Sequence, residues 1–264
     1  MILRGKFGTI LVSDGAKSRR LYINGELQGG AYFHPGADTV DPSITGPGPV
    51  SEAKYALGWL VAGKLNPRGS MLMVGLGSGA GATQLLANFP ELNLTVVEID
   101  PAIIKAATES FPLLDYYSDM GRLNIVESDA KDFLESKDWQ WDAGLADAYT
   151  GSSYDLETSY FPALCRSCLS LYVNAIGKFA DESFLKISDL MDEYGHPPVA
   201  FFQPNQLADG GINTNAISNW VLVADELNLD ELAQWKPFPQ YKNGEVDTTR
   251  EQWLQMLGTG IILD

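Results

Sequence analysis

The sequence predicts an α/β protein: a mostly parallel sheet with helices on both faces, preceded by a small β domain. Three observations carry this. From Ser51 onward, strand-like and helix-like runs alternate, the pattern that builds parallel sheets through crossover helices. Runs such as MLMVGLG are continuously apolar, as strands covered on both faces are. The first fifty residues instead read as β-rich, and a Gly/Pro-rich connector, HPGADTVDPSITGPGP, divides the two patterns. Pro47 and Pro49 break regular structure there. The predicted domains are residues 1–50 and 51–264.

The elements follow in order. KFGTILVSD and RRLYINGELQ are strand-like, with Asp14-Gly15 as a turn between them. SEAKYALGWLVAGKL reads as an amphipathic helix with Ser51 as N-cap. MLMVGLG is a buried strand, ATQLLANF a helix and LTVVEID a second strand. PAIIKAATESF is a helix with Pro101 in its first turn. RLNIVESD is a third strand, AKDFLES a short helix, WDAGLADAY a fourth strand, TSYFPALCRSCL a helix and SLYVNAIG a fifth strand. SFLKISDLMDEYG places Phe184, Ile187, Leu190, Met191 and Tyr194 on one helical face. PVAFFQP and SNWVLVAD are final strands, the last of which returns antiparallel at the sheet edge. The tail from Glu226 reads as helical, with a turn at Lys242-Asn243-Gly244.

The composition narrows the function classes. With 264 residues, 45% of them hydrophobic and 20% charged, the chain is globular. A net charge of −16 argues against a nucleic-acid backbone as partner. It is compatible with a cationic substrate through steering, but simple solubility is the favoured reading, because whole-chain charge says little about a site. The two cysteines, Cys165 and Cys168, have C-x-x-C spacing but sit in an apolar, helix-like stretch, which reads as ordinary reduced thiols. MILRGKFGTILV turns polar too quickly for a signal peptide. No apolar run reaches membrane-spanning length, so a cytoplasmic protein without a membrane partner is expected. His34 and His196 lie beside prolines and outside any metal-ligand pattern, and no metal is expected. No nucleophile elbow, P-loop or kinase signature occurs.

The strongest local signal is VGLGSGAG, Val74 to Gly81, between an apolar strand and a helix. Glycines there permit a tight turn and let a ligand approach the backbone, while the helix start leaves N–H groups unpaired. A purely structural strand-to-helix turn has the same form. About twenty residues on, the second strand ends in VVEID, where an acid accepts hydrogen bonds from ribose hydroxyls. Glu98 is the candidate. Asp100 is the alternative, and it also fits as N-cap before Pro101. Asp129 ends the third strand in ESDA, where it can accept an adenine amino group, cap a helix, or do both. Asp147 ends the fourth strand in LADAYTG. Acids at three successive strand ends form a constellation on the side of the sheet where ligands bind. Asn174, on the fifth strand, lies near the same place.

GLGSG, VVEID, SDA and a strand-end aspartate, in this order and spacing, resemble the spermidine synthases and their relatives. The segment LYINGELQ, Leu21 to Gln28, resembles that family's L-x-L-D-G-x-x-Q run, and a late hydrophobic strand carries Trp220 as in many relatives. The resemblance covers about Phe7 to Asp225, and its cofactor part is shared with many methyltransferases. It implies a Rossmann-like sheet of the class I methyltransferase type. The implied co-substrate is S-adenosylmethionine or its decarboxylated form. The implied reaction moves an aminopropyl-type group to a small amine and releases methylthioadenosine, and the implied assembly is a homodimer. Gln28 would lie near the cofactor's tail, and Gly75, Gly77, Ser78 and Gly79 would form the loop. Glu98 would hold the ribose, and Asp129 with Ala130 the adenine. Asp147 would be catalytic, with Tyr149 positioning the acceptor.

Two positions depart from the family pattern. Its loop is typically G-G-G-D-G-G, with the aspartate pairing the amine of the decarboxylated co-substrate; Ser78 stands there. Its strand-end run is D-S-S-D-P, and Thr150 takes the place of the second aspartate. Both changes remove a carboxylate that would pair an ammonium. Intact S-adenosylmethionine, donating either its methyl group or its aminocarboxypropyl arm, is therefore the alternative. Glu52 and Tyr55 fall where the family has a tyrosine-bearing helix.

Overall fold

The computed structural model describes residues 1–15, 18–32, 56–111, 113–136, 140–148, 159–177, 181–198, 200–202, 218–225, 240–242, 245–248 and 261–262. The connector and the predicted N-cap Ser51 lie outside these residues.

The chain opens with a four-stranded antiparallel sheet, β1 (Ile2–Gly5), β2 (Gly8–Asp14), β3 (Ser18–Ile23) and β4 (Glu26–Tyr32), in sequential order. The single predicted strand RRLYINGELQ is in fact a hairpin. Ile23 pairs with Glu26 across Asn24-Gly25, whose φ values of 53° and 86° are both positive, as a two-residue I′ turn requires. The Asn-Gly pair is the signal for that turn. β1 is a further strand beyond the two predicted; it pairs with β2.

The large sheet alternates with helices as predicted. Its elements are α1 (Ala56–Leu65), β5 (Ser70–Val74), α2 (Ala80–Asn88), β6 (Asn93–Glu98), α3 (Pro101–Ser110), α4 (Leu113–Asp119), β7 (Leu123–Glu127), α5 (Ala130–Glu135), β8 (Trp141–Ala146), α6 (Phe161–Ser167), β9 (Cys168–Gly177), α7 (Glu182–Glu193), β10 (Ala200–Phe202) and β11 (Ser218–Ala224). β5 pairs in parallel with β6 and β8, and the parallel run continues through β7 on one side and β9 on the other. β11 returns antiparallel against β9 and β10, as expected, but it lies between them and not at the sheet edge, which β14 (Ile261–Ile262) occupies. α4 was not legible in FPLLDYYSDMG; it is a seven-residue turn of helix held by buried Leu113, Leu114 and Tyr117.

The tail departs from the helical expectation wherever it is described. β12 (Gln240–Lys242) and β13 (Glu245–Thr248) form an antiparallel hairpin, and β14 (Ile261–Ile262) pairs with β10. Lys242 ends β12 and pairs with Glu245; Asn243 and Gly244 of the predicted turn lie outside the described residues, and Val246 and Thr248 favour extended backbone.

Each strand feeds two cores, because successive side chains point to opposite faces. Met71, Met73, Leu145 and Tyr172 join α1 to α4 in one cluster, with Ile10, Val12, Leu21 and Ala31 of the small sheet. Leu72, Val74, Val97 and Val173 join α5, α6 and α7 in the other. Cys165 lies on α6, whereas Cys168 begins β9, which corrects the reading of both as helix cysteines. Both are free and buried. Burial pushes the Cys165 thiol up to about 12 and raises Cys168 as well, so neither supplies a reactive thiolate. Among the described residues no helix is long and apolar enough to cross a membrane.

The small sheet is fastened to both ends of α3. The Lys6 backbone N–H donates to Asp100 Oδ2 at 2.6 Å, and Arg19 Nη1 donates to the Ser110 carbonyl at 2.8 Å. Arg19 is itself held by Asp14 at 2.6 Å.

Candidate functional site

The strand order reverses about β5: β6 and β7 lie on one side, β8 and β9 on the other. At such a switch point the loops after neighbouring strands diverge and leave a crevice at their C-terminal ends. The glycine loop and Asp147 follow the two strands that flank this crevice.

Gly75, Gly77 and Gly79 all have positive φ, at 98°, 52° and 75°. The reasons for glycine differ. A Cβ at Gly75 would lie 2.6 Å from the Asp147 carbonyl oxygen, so this position lets β5 and β8 run close together as they end. A Cβ at Gly77 would meet nothing nearer than the Gln28 carbonyl at 3.4 Å. The open side of the loop is therefore at Gly77, beside β4, and the structure brings Gln28 there. Ser78 is buried, with 3% of its surface exposed.

Glu98 ends β6 beneath the loop, 7% exposed. Its Oε2 accepts the Leu76 backbone N–H at 3.0 Å, and its Oε1 accepts the Asp100 N–H at 2.9 Å. Burial nonetheless raises its carboxyl above the usual range, and the backbone donors only partly offset this. One buried carboxylate thus ties the glycine loop to the start of α3. Each of its oxygens has an acceptor site beyond the one used by the backbone.

Asp100, the alternative to Glu98, serves the fold instead. It is 1% exposed. Its Oδ1 caps α3 through the Ala102 N–H at 2.9 Å, and its Oδ2 takes the Lys6 N–H. A continuous set of hydrogen bonds therefore runs from the small sheet through Asp100 and Glu98 to Leu76. Asp129 caps α5 by accepting from Lys131 and Asp132 N–H at 2.8 and 3.4 Å, and its carboxylate is exposed. Ala130 behind it is buried. The Ser128 N–H donates to the Glu98 carbonyl at 3.1 Å, which keeps this strand end beside Glu98.

Asp147 follows β8 and is half-buried. Its N–H donates to the Val74 carbonyl at 3.0 Å, fixing its backbone against the end of β5. Its Oδ1 accepts from Asn174 Nδ2 at 2.6 Å. The next residue is also anchored: the Tyr160 hydroxyl donates to the Ala148 carbonyl at 3.1 Å. Burial raises the Tyr160 phenol, and the Asp147 charge adds to this, so Tyr160 stays a neutral donor. Sequence reasoning missed Tyr160, because nothing in its spacing links the start of α6 to the end of β8. Tyr149, Thr150, Glu52 and Tyr55 lie outside the described residues. Among the described residues no group of three or more His, Cys, Asp or Glu side chains is placed to hold a metal.

No protein-family model matches the chain. It is 29% identical over 201 residues to the eEF1A lysine and N-terminal methyltransferase homolog of Drosophila melanogaster, a match covering 72% of this chain and 25% of that protein. It is 27% identical over 145 residues to a polyamine aminopropyltransferase of Neisseria meningitidis, covering 52% of this chain and 53% of that one. The chain thus spans a quarter to a half of the length of these relatives. Among solved structures, a probable spermidine synthase from Corynebacterium glutamicum superposes with a TM-score of 0.61 at 17% identity, covering 92% of this chain and 90% of the other. Spermidine synthase from Thermotoga maritima gives 0.66 at 13% identity, covering 97% and 83%. The fold is that of the spermidine synthases, small N-terminal sheet included, and the resemblance in motifs is matched by a resemblance in architecture.

Proposed function

We propose that the chain is a transferase that uses S-adenosylmethionine or its decarboxylated form, passing an aminopropyl-type group to a small amine and releasing methylthioadenosine. The observation that carries this is the placing of Asp147. A half-buried carboxylate stands against the glycine loop at the switch point, its backbone bonded to Val74 and its side chain to Asn174. The names of the Neisseria relative and of the structural neighbours support it.

In this reading the loop of Gly75, Gly77, Ser78 and Gly79 receives the nucleoside's tail beside Gln28. Glu98 accepts the ribose hydroxyls, and Asp129 with Ala130 faces the adenine. A sulfonium is already an activated leaving group, so the protein need not supply an acid. Its tasks are to orient the amine and take its proton. An aliphatic amine is mostly protonated at neutral pH. Asp147 holds the ammonium by charge and accepts or relays one proton. Nitrogen then bonds to the carbon next to sulfur, that carbon–sulfur bond breaks, and its electron pair stays on sulfur as a thioether. Tyr149 positions the acceptor. The proposal takes residues 1–50 as the β domain and 51–264 as the catalytic domain, and places a homodimer in the cytoplasm. Neither nucleic acid nor membrane is a partner, in keeping with the net charge of −16.

A second reading has one specific observation behind it. Ser78 is neutral where the family carries an aspartate, which removes repulsion toward the carboxylate of intact S-adenosylmethionine. Methyl or aminocarboxypropyl transfer to a small molecule is the form it takes, and the Drosophila relative is named a methyltransferase. Asp147→Asn tests the catalytic assignment. Turnover should be nearly abolished while methylthioadenosine binding is kept; normal turnover would remove Asp147 from the mechanism.

A further inference from the structure

We infer that Asn174 is the positioning residue of this site, holding the Asp147 carboxylate ionised and in a single orientation before the amine. The inference rests on the transferase reading above and adds to it a residue outside the motifs that carry the resemblance.

The register of the sheet puts Asn174 there. β8 and β9 run in parallel, and their last paired residues are Ala146 and Val173. The next residues are Asp147, just past the end of β8, and Asn174, within β9, and they lie side by side. Alternation along β9 turns Asn174 to the same face as Tyr172, whose side chain packs with α1 to α4. The hydrogen bond between the two side chains is short, at 2.6 Å. The bond runs from the amide's NH2 group to the carboxylate oxygen, the direction in which an ionised carboxylate, an acceptor only, can take part.

The other end of the amide carries the argument further. Asn174 is 2% exposed, and its Oδ1 is buried without a hydrogen-bond partner among the described residues. A buried acceptor left without a donor is rare and costly. Its neighbours along the strand, Leu171, Tyr172, Val173 and Ala175, are buried. The amide is explained by what it does for Asp147. Donation to the charged form favours that form, so the carboxylate meets the ammonium as an anion. Tyr160, facing Asp147 from α6, is kept neutral by burial, and Glu98 faces the far side of the glycine loop. Asn174 is thus a neutral donor that the structure places on this carboxylate.

The test is a carboxyl-carbon NMR titration of the full chain, with the Asp147 signal assigned by its loss in Asp147→Asn. In Asn174→Leu, Asp147 should titrate at higher pH than in the wild type, and in Asn174→Asp higher still, because a like charge replaces the donor. Methylthioadenosine affinity should stay within about twofold, since Asn174 is not part of the nucleoside site, whereas amine turnover should fall about 10- to 100-fold. An unchanged Asp147 titration in both variants would overturn the inference. If the wild type releases no methylthioadenosine with any amine, the transferase reading fails, and the titration still decides whether Asn174 governs Asp147.

Discussion

Glu98 is where binding of a nucleoside can be tested against the geometry. Its carboxylate accepts two backbone N–H groups, from Leu76 at 3.0 Å and Asp100 at 2.9 Å. Glu98→Gln leaves one carbonyl oxygen for these, and the new NH2 faces the second donor. That orphaned N–H costs about 1–3 kcal/mol. Removing a buried charge offsets part of this, because burial already disfavours the ionised form, so the fold should survive. The ligand has no such offset. Ribose hydroxyls that bonded a carboxylate at about 1.5–3 kcal/mol each would bond a neutral amide at about 0.5–1.5. A loss of about 1–3 kcal/mol weakens Kd about 5- to 150-fold. Calorimetry with methylthioadenosine measures it, and 2′,3′-dideoxyadenosine is the control, since it lacks the hydroxyls and should bind both proteins alike. An equal loss for both ligands, or no loss for either, would refute the assignment of Glu98 to the ribose.

Acidification should weaken methylthioadenosine from a higher pH than an ordinary glutamate would give, because burial raises the Glu98 carboxyl and the hydroxyls need its ionised form. In the free protein the sign is opposite. A raised folded-state pKa makes Glu98's contribution to stability fully present below the unfolded value and lost as pH rises through the folded one, so the Tm of wild type minus Glu98→Gln should grow as pH falls. Gly75→Ala should destabilise the fold by more than about 1 kcal/mol, since the methyl would strike the Asp147 carbonyl at 2.6 Å; thermal melting checks this. Gly77→Ala costs only about 1 kcal/mol of left-handed strain and meets no close neighbour, so it should fold yet bind methylthioadenosine poorly. Asp100→Ala should lower Tm by the loss of a cap, about 0.5–2 kcal/mol, and speed hydrogen exchange at Lys6, whose N–H it leaves without its acceptor.

Much of the fold was legible because β5, β6 and β7 are apolar strands bounded by helices with clear starts, such as Asp100-Pro101. What escaped was local. Asn24-Gly25 lay inside one apparent strand, and only the turn chemistry of that pair separates β3 from β4. α4 is too short for a periodic signal, and packing on the core holds it. The tail shows helix-compatible composition, but its described strands pair with each other and with β10, which propensity does not reveal. In the site, Glu98 and Asp147 were legible as strand-end acids. The division of labour between Glu98 and Asp100 was not, since VVEID gives no sign that Lys6, 94 residues away, takes the second carboxylate. Tyr160 and the Asp147–Asn174 bond depend on register between β8, β9 and α6, a property of the sheet and not of any single run.

The central claim is transfer of a carbon arm from a sulfonium to an amine. Product analysis by mass spectrometry tests it most directly, with the protein given each form of S-adenosylmethionine separately and a panel of small amines. Methylthioadenosine together with an amine enlarged by the arm is the predicted result, and the productive form identifies which arm Ser78 admits. S-adenosylhomocysteine would contradict it, and the spermidine synthase likeness would then describe the scaffold of a methyltransferase.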